Sequence, residues 1–291
     1  MHAANRPRRG NTTMRLGHWQ RGVAAIAAIV GLVASLAACG GSANSQSDKT
    51  ITLGATPGPY AELFKKGVQP ILEKEGYTVQ YKNFNDPQAA DDATERGLVD
   101  LTVTQHRAYM QAFNKAKDAH LVDAGVLPSL STGLYSDKQH SLKNVKSGDL
   151  VLVPQDSSNL SRALVLLSDI GWISLNPKTD IAKLTPNDIV KNPHNLNIKL
   201  VDRASVPRNL PDADWGVICG QPAYNAKVDQ KLLVAKEHFR PEFLNRIVIK
   251  DTSRDEAWVK AVANAYHSKE FKHFLETDPS RSYWYVPEDN A

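Results

Sequence analysis

The chain has 291 residues, 42% hydrophobic and 23% charged, with 17 Gly and 16 Pro, which excludes a wholly disordered, collagen-like or coiled-coil protein. Its two cysteines cannot build a disulfide scaffold or a four-ligand zinc site. The formal charge is +4, but Arg6, Arg8, Arg9, Arg15 and Arg21 lie in residues 1–38, which hold no acid; subtracting these five leaves −1, so the body has no basic field to draw nucleic acid.

Behind the arginines runs an apolar segment, Gly22 to Ala38, broken only by Ser35. It is short for a membrane span, and its basic flank is that of an export signal. It ends in Leu36-Ala37-Ala38-Cys39, followed by Gly40-Gly41-Ser42. Small residues before a cysteine at the first mature position form a lipobox. Residues 1–38 are therefore expected to be a lipoprotein signal peptide. The Cys39 thiol is expected to carry a diacylglyceryl thioether, holding the protein on the outer face of the cytoplasmic membrane. A plain membrane anchor with an incidental Cys is the alternative, and Met14 would give a more compact signal than Met1. Residues 39–48 read as a flexible tether. With Cys39 lipidated, only Cys219 remains, so no intramolecular disulfide can form.

Beyond the tether, strand and helix signals alternate. Thr50–Thr56 reads as a strand ending at Pro57-Gly58-Pro59, and Tyr60–Glu75 as a helix closed by Gly76. Thr78–Phe84 is a second strand, Pro87–Arg96 a helix, Val99–Thr104 a strand, His106–Lys117 a helix and Leu121–Val126 a strand. Leu150–Val153 and Asn159–Ile170 form a further strand and helix. Pro186–Lys191, Ile198–Val201 and Val206–Leu210 follow as helix, strand and helix. Trp215–Cys219 and Arg246–Ile249 read as strands, and Glu256–Thr277 as the last helix or helices. Such alternation implies α/β layers with largely parallel sheets, and the mature length suits two lobes with a ligand cleft between them.

Two strand-to-helix junctions carry chemistry. The first is Val153-Pro154-Gln155-Asp156-Ser157-Ser158-Asn159-Leu160-Ser161-Arg162. Helix amides and an Arg in the first turn there suit an anion, above all a carboxylate gripped by two hydrogen bonds. A capped helix with a solvated Arg fits the same residues. The second is Thr104-Gln105-His106-Arg107-Ala108-Tyr109, where Gln, His and Tyr could face a ligand, or Gln105 could simply cap the helix. There is no G-x-S-x-G, H-E-x-x-H or Walker loop, so no enzyme activity and no cofactor are expected. Two alternatives stay open: an enzyme using Cys219, and a metal-binding lipoprotein in which His106, His120 and His140 converge with carboxylates.

At these junctions the sequence resembles the methionine-binding lipoproteins of bacterial ABC importers, the NlpA/MetQ group. The likeness runs from about Lys49 to Trp284. It includes Gly54-Ala55-Thr56-Pro57-Gly58-Pro59, Gln105-His106-Arg107-Ala108-Tyr109, Val153-Pro154 with Asn159 and Arg162-Ala163-Leu164, and Pro207-Arg208-Asn209-Leu210-Pro211. The resemblance implies a two-lobed type II periplasmic-binding-protein fold with two crossover segments. Lobe 1 would be 49–130 plus 247–291 and lobe 2 would be 134–243, with crossovers at Gly133–Ser136 and Asn245–Ile249. It also implies an amino-acid ligand, methionine or a relative, delivered by a monomer to a permease and, through it, an ATPase. Arg162 matches the Arg for the ligand carboxylate and Asn159 the Asn beside it; Gln105, His106 and Tyr109 fall in the cleft of the other lobe. The sequence departs from the family pattern at Thr104, where an aromatic is expected, and at Cys219 and Asp91, where Asn is expected. Asp91 could supply a negative charge for an ammonium or equally be a surface helix residue.

Overall fold

The computed structural model describes residues 49–287. The expected signal peptide, the lipidation site Cys39 and the tether lie outside the described residues.

Strand β1 (Thr50–Ala55) buries Ile51, Leu53 and Ala55. The expected first helix is two, α1 (Pro59–Leu63) and α2 (Gln69–Lys74), separated by a π turn over Phe64–Val68. Pro70 explains the break, because it has no N–H to donate back into the preceding turn. Then come β2 (Thr78–Asn83), α3 (Pro87–Glu95), β3 (Leu101–Thr102), α4 (Arg107–Lys117) and β4 (Leu121–Val126). The chain passes through β5 (Ser129–Leu130) into β6 (Gly133–Tyr135), β7 (Leu150–Pro154), α5 (Ser157–Asp169), β8 (Ser174–Leu175), β9 (Ile189–Lys191) and β10 (Asn197–Val201). It continues with α6 (Val206–Asn209), β11 (Trp215–Ile218), α7 (Gly220–Asn225) and β12 (Leu233–Lys236). It returns as β13 (Arg246–Lys250) and ends in α8 (Ala257–His267), α9 (Lys269–Thr277) and β14 (Trp284–Tyr285), which pairs antiparallel with β5.

Two five-stranded sheets share one topology. In the first, ordered β2-β1-β3-β13-β4, the pairs β1–β2 and β1–β3 are parallel, while β13 runs antiparallel to β3 and β4. In the second, ordered β10-β7-β11-β6-β12, β7 lies parallel to β10 and β11, and β6 antiparallel to β11 and β12. Each sheet thus takes its one reversed inner strand from beyond its own run of α/β units, where the chain crosses from one sheet to the other. The result is the two-lobed type II binding-protein architecture. Each sheet has its own core. Ile51, Leu53, Phe64, Leu101 and Ile249 anchor the first, and Val151, Val153, Leu164, Trp172 and Trp215 the second. Trp172 and Trp215 meet edge to face at 4.7 Å, and the Trp215 indole N–H donates to Asp149 at 2.8 Å, so the buried donor is satisfied.

Several expectations need correction. Gly133–Tyr135, expected as a crossover, is a strand of the second sheet. Pro186–Lys191, expected as a helix, makes only a 3-10 turn at Pro186–Asp188, and Ile189–Lys191 is β9. The Thr185/Asp188 capping box starts a helix, but β-branched Ile189 and Val190 follow, and Asn192, preceding Pro193, is biased away from helical backbone. Strand β12 carries no clear sequence signal, because its side chains show no in-out alternation, and a bulge interrupts its pairing with β6. The final helical stretch splits at Ser268, which closes α8 and caps α9 through the Phe271 N–H.

Candidate ligand-binding site

The carboxyl ends of the two sheets face one another across a narrow cleft. Its first wall is the β3–α4 junction. His106 is the N-cap of α4: its Nδ1 accepts the Tyr109 N–H at 3.2 Å. His106, and not Gln105, therefore caps the helix. With Nδ1 accepting, Nε2 carries the proton and donates to Asn159 Oδ1 at 3.2 Å, a bond that crosses the cleft. The imidazole is buried, and that burial, aided by the Arg162 charge, pushes its pKa down to about 3, so it is neutral at physiological pH.

The opposite wall is the β7–α5 junction. Asp156 caps α5 by accepting the Asn159 N–H at 3.1 Å, and it also takes the Asn159 side-chain amide at 2.9 Å. The helix begins at Ser157, so Arg162 lies in its second turn and not its first, and Asp156 already takes the Asn159 N–H of the first turn. Helix amides thus contribute less to anion binding than the sequence suggests; the guanidinium itself is the relevant group. Asn159 Oδ1 also receives the Cys219 thiol at 3.3 Å. Cys219 is buried, and burial pushes its pKa up to about 11, so it stays a thiol and is a poor nucleophile. Gly220, next to it, is obligatory: a Cβ would fall 2.4 Å from Leu130 Cβ and 2.8 Å from Ser131 O.

Arg162 is only 4% exposed. Its Nε donates to Glu237 Oε2 at 2.7 Å, its Nη2 to Glu237 Oε1, and Nη2 also reaches Leu130 O at 3.3 Å. The guanidinium lies over the Phe243 ring at 5.7 Å. Glu237 had no sequence signal. It follows β12 in the return crossover and is fixed by the outgoing one: the Thr132 N–H donates to Oε1 at 2.6 Å, and the Glu237 N–H donates to Thr132 O at 3.0 Å. One buried ion pair thereby joins α5 to both connections between the sheets.

Arg162, Asn159, His106, Tyr109, Gln105 and Cys219 all line one cavity, together with Tyr60, Arg203, Gln221 and Asn245, which the sequence did not single out. Asp91 does not line it. It is fully buried behind Gln105, whose Nε2 donates to its Oδ1. Burial holds its pKa well above the carboxylate range, favouring the neutral acid over the negative charge expected toward an ammonium. The lobes close over the cavity through Gln221 Nε2, which donates to Pro57 O at 3.0 Å, and Asn225 Nδ2, which reaches the same carbonyl at 3.1 Å. The free space within the cleft is about 20 Å³. That holds about one water, so an amino acid enters only if these cross-cleft bonds part. Among the described residues, no group of three or more His, Cys, Asp or Glu could hold a metal; His120 sits by Glu95, 3.7 Å away.

The family model described as NlpA lipoprotein matches residues 51–285. The chain belongs to the NlpA lipoprotein family. Similar members include the methionine-binding lipoprotein MetQ of Bacillus subtilis, 29% identical over 83% of this chain and 90% of that protein. The D-methionine-binding lipoprotein MetQ of Salmonella typhi is 30% identical over 84% of this chain and 91% of its own. A solved nutrient-binding protein from Burkholderia cenocepacia, bound to methionine, superposes with a TM-score of 0.73 at 34% identity, covering 78% of this chain and 95% of that one. NlpA relatives are thus named as ligand-binding lipoproteins, a substrate-binding family and not a family of enzymes. Among the described residues, no helix is long and apolar enough to cross a membrane.

Proposed function

We propose that this NlpA lipoprotein is the extracytoplasmic substrate-binding component of an ABC importer. It takes an amino acid of the methionine class into the cleft and passes it, as a monomer, to a permease driven by an ATPase. Arg162 receives the α-carboxylate, Asn159, His106, Gln105 and Tyr109 orient the ligand, and Cys219 bounds the site. The observation that carries this reading is the convergence of Arg162 and Asn159 from one lobe with His106 and Tyr109 from the other around one cavity. The methionine-binding relatives support the ligand class. Residues 49–130 with 247–291, and 134–243, move as two bodies, and a ligand touching both favours the closed state. Calorimetric titration of the detergent-purified lipoprotein with the amino acids, D- and L-methionine among them, should find at least one ligand with a Kd of about 1 μM or tighter, or about −8 kcal/mol. If none binds, the proposal falls.

The protein sits on the outer face of the cytoplasmic membrane through two acyl chains on Cys39, which gives firmer retention than a single chain. Cys39→Ser should leave the precursor uncleaved or release the protein from the membrane fraction. A variant cleaved and retained like the wild type would rule out this anchor.

A further inference from the structure

Among the fourteen residues lining the cavity, Arg162 and Arg203 are the fixed cations, and none is Asp or Glu. The two arginines differ in their surroundings. Arg162 is balanced from behind by Glu237. Arg203 starts the short 3-10 turn Arg203–Ser205 that follows β10, and it is half-buried. Among the described residues its guanidinium has neither a hydrogen bond nor an ion pair. The nearest carboxylate in sequence, Asp202, is committed elsewhere: its Oδ1 accepts the Ala204 N–H at 3.0 Å and the Ser205 hydroxyl at 3.2 Å.

Asp156 lies within electrostatic reach of Tyr109 and Cys219 but outside the lining, and its Oδ1 is taken up at the α5 cap by the Asn159 N–H and side-chain amide. The remaining titratable groups around the cavity do not offset the Arg203 charge. His106 is neutral, its pKa lowered chiefly by burial and further by Arg162 and Arg203. Cys219 remains a thiol for the burial reason given above. Asp91 lies behind Gln105, where burial favours its neutral form. Glu237 is matched one to one with Arg162. The lining is left with one half-buried cation, Arg203, that no acid pairs directly, and charge complementarity in such a cleft is worth more than in open water. A zwitterionic amino acid adds no net charge, and its ammonium would meet no carboxylate in the wall.

We infer that Arg203 is a second anion-binding residue of this site and that the preferred ligand is a net-anionic carboxylate: an amino acid with an acidic side chain, or one whose amine is acylated. Arg162 takes one anionic group and Arg203 the other, or Arg203 supplies the net charge that an uncharged amide nitrogen leaves unopposed. The inference rests on the amino-acid reading of the cleft and narrows it.

The test is calorimetric titration of the full lipoprotein and its Arg203→Gln and Arg203→Lys variants with L-methionine, L-glutamate and N-acetyl-L-methionine. The last two probes separate a second carboxylate from a masked amine. One anionic probe should bind the wild type at least about tenfold more tightly than L-methionine, the scale of one charge-assisted hydrogen bond. Arg203→Gln should weaken that anionic probe at least about tenfold more than it weakens L-methionine, and Arg203→Lys should keep part of the preference. The inference is overturned if L-methionine is the tightest of the three, or if Arg203→Gln weakens all three equally; in both cases the amino-acid reading stands. Binding of none of them to the wild type would overturn this inference, while the amino-acid reading is decided by the full amino-acid panel.

Discussion

Replacing Arg162 with Ala is expected to weaken binding of an amino-acid carboxylate at least about tenfold and to remove discrimination between the free acid and its carboxamide. A hydrogen bond to a charged group contributes about 1.5–3 kcal/mol, and 1.4 kcal/mol is a factor of ten. The structure adds a structural cost. The Ala variant leaves the Glu237 carboxylate buried without its guanidinium, a loss of about 3–5 kcal/mol for a broken buried pair. At about 2–4 °C per kcal/mol for a body of this size, Tm should fall by roughly 6–20 °C. Binding must therefore be compared at a temperature where both proteins are folded. Arg162→Lys keeps the charge but not the planar fork, so it should retain part of the stability and little of the acid–amide discrimination. Titration with methionine and methioninamide, alongside scanning calorimetry, checks both effects. Equal affinity of Arg162→Ala and wild type for the acid would remove Arg162 from the site.

The alternation of strand and helix is readable in the sequence because each element follows its own period, two for β2 and 3.6 for α8. The two junctions that build the cleft are readable for a related reason: a polar run ends a strand and caps the next helix, as Asp156 and His106 do. Groups supplied from the crossovers are not readable. Glu237 lies 75 residues from Arg162 and adjoins it only because the chain returns past β12 to the other sheet. Arg203 has no local signal, since a lone Arg in a short turn reads as a solvated side chain. Asp91 misleads in the opposite direction. An acid in the helix next to the site invites a ligand contact, but its place on α3 turns it into the interior, against Gln105. In each case the deciding fact is a long-range placement that periodicity does not encode.

Removing both members of the buried pair should do less harm than removing either alone. Glu237→Leu leaves the Arg162 guanidinium in a desolvated place with only Leu130 O and the Phe243 ring beside it, and should cost about 3–5 kcal/mol. It also strips the Thr132 N–H of its acceptor, and a buried donor left unsatisfied costs about 1–3 kcal/mol. In the double variant Arg162→Met/Glu237→Leu no charge is stranded. An apolar pair of similar volume often matches a buried ion pair in stability, so the main remaining loss is the orphaned Thr132 amide. The double variant should thus be more stable than either single one, with a coupling energy of at least about 2 kcal/mol in the thermodynamic cycle. It should also fail to discriminate acid from amide, since the carboxylate receptor is gone. The decisive observation is the sum: if the two single losses add to that of the double variant, Arg162 and Glu237 do not act as a pair, and the join between α5 and the two crossovers lies elsewhere.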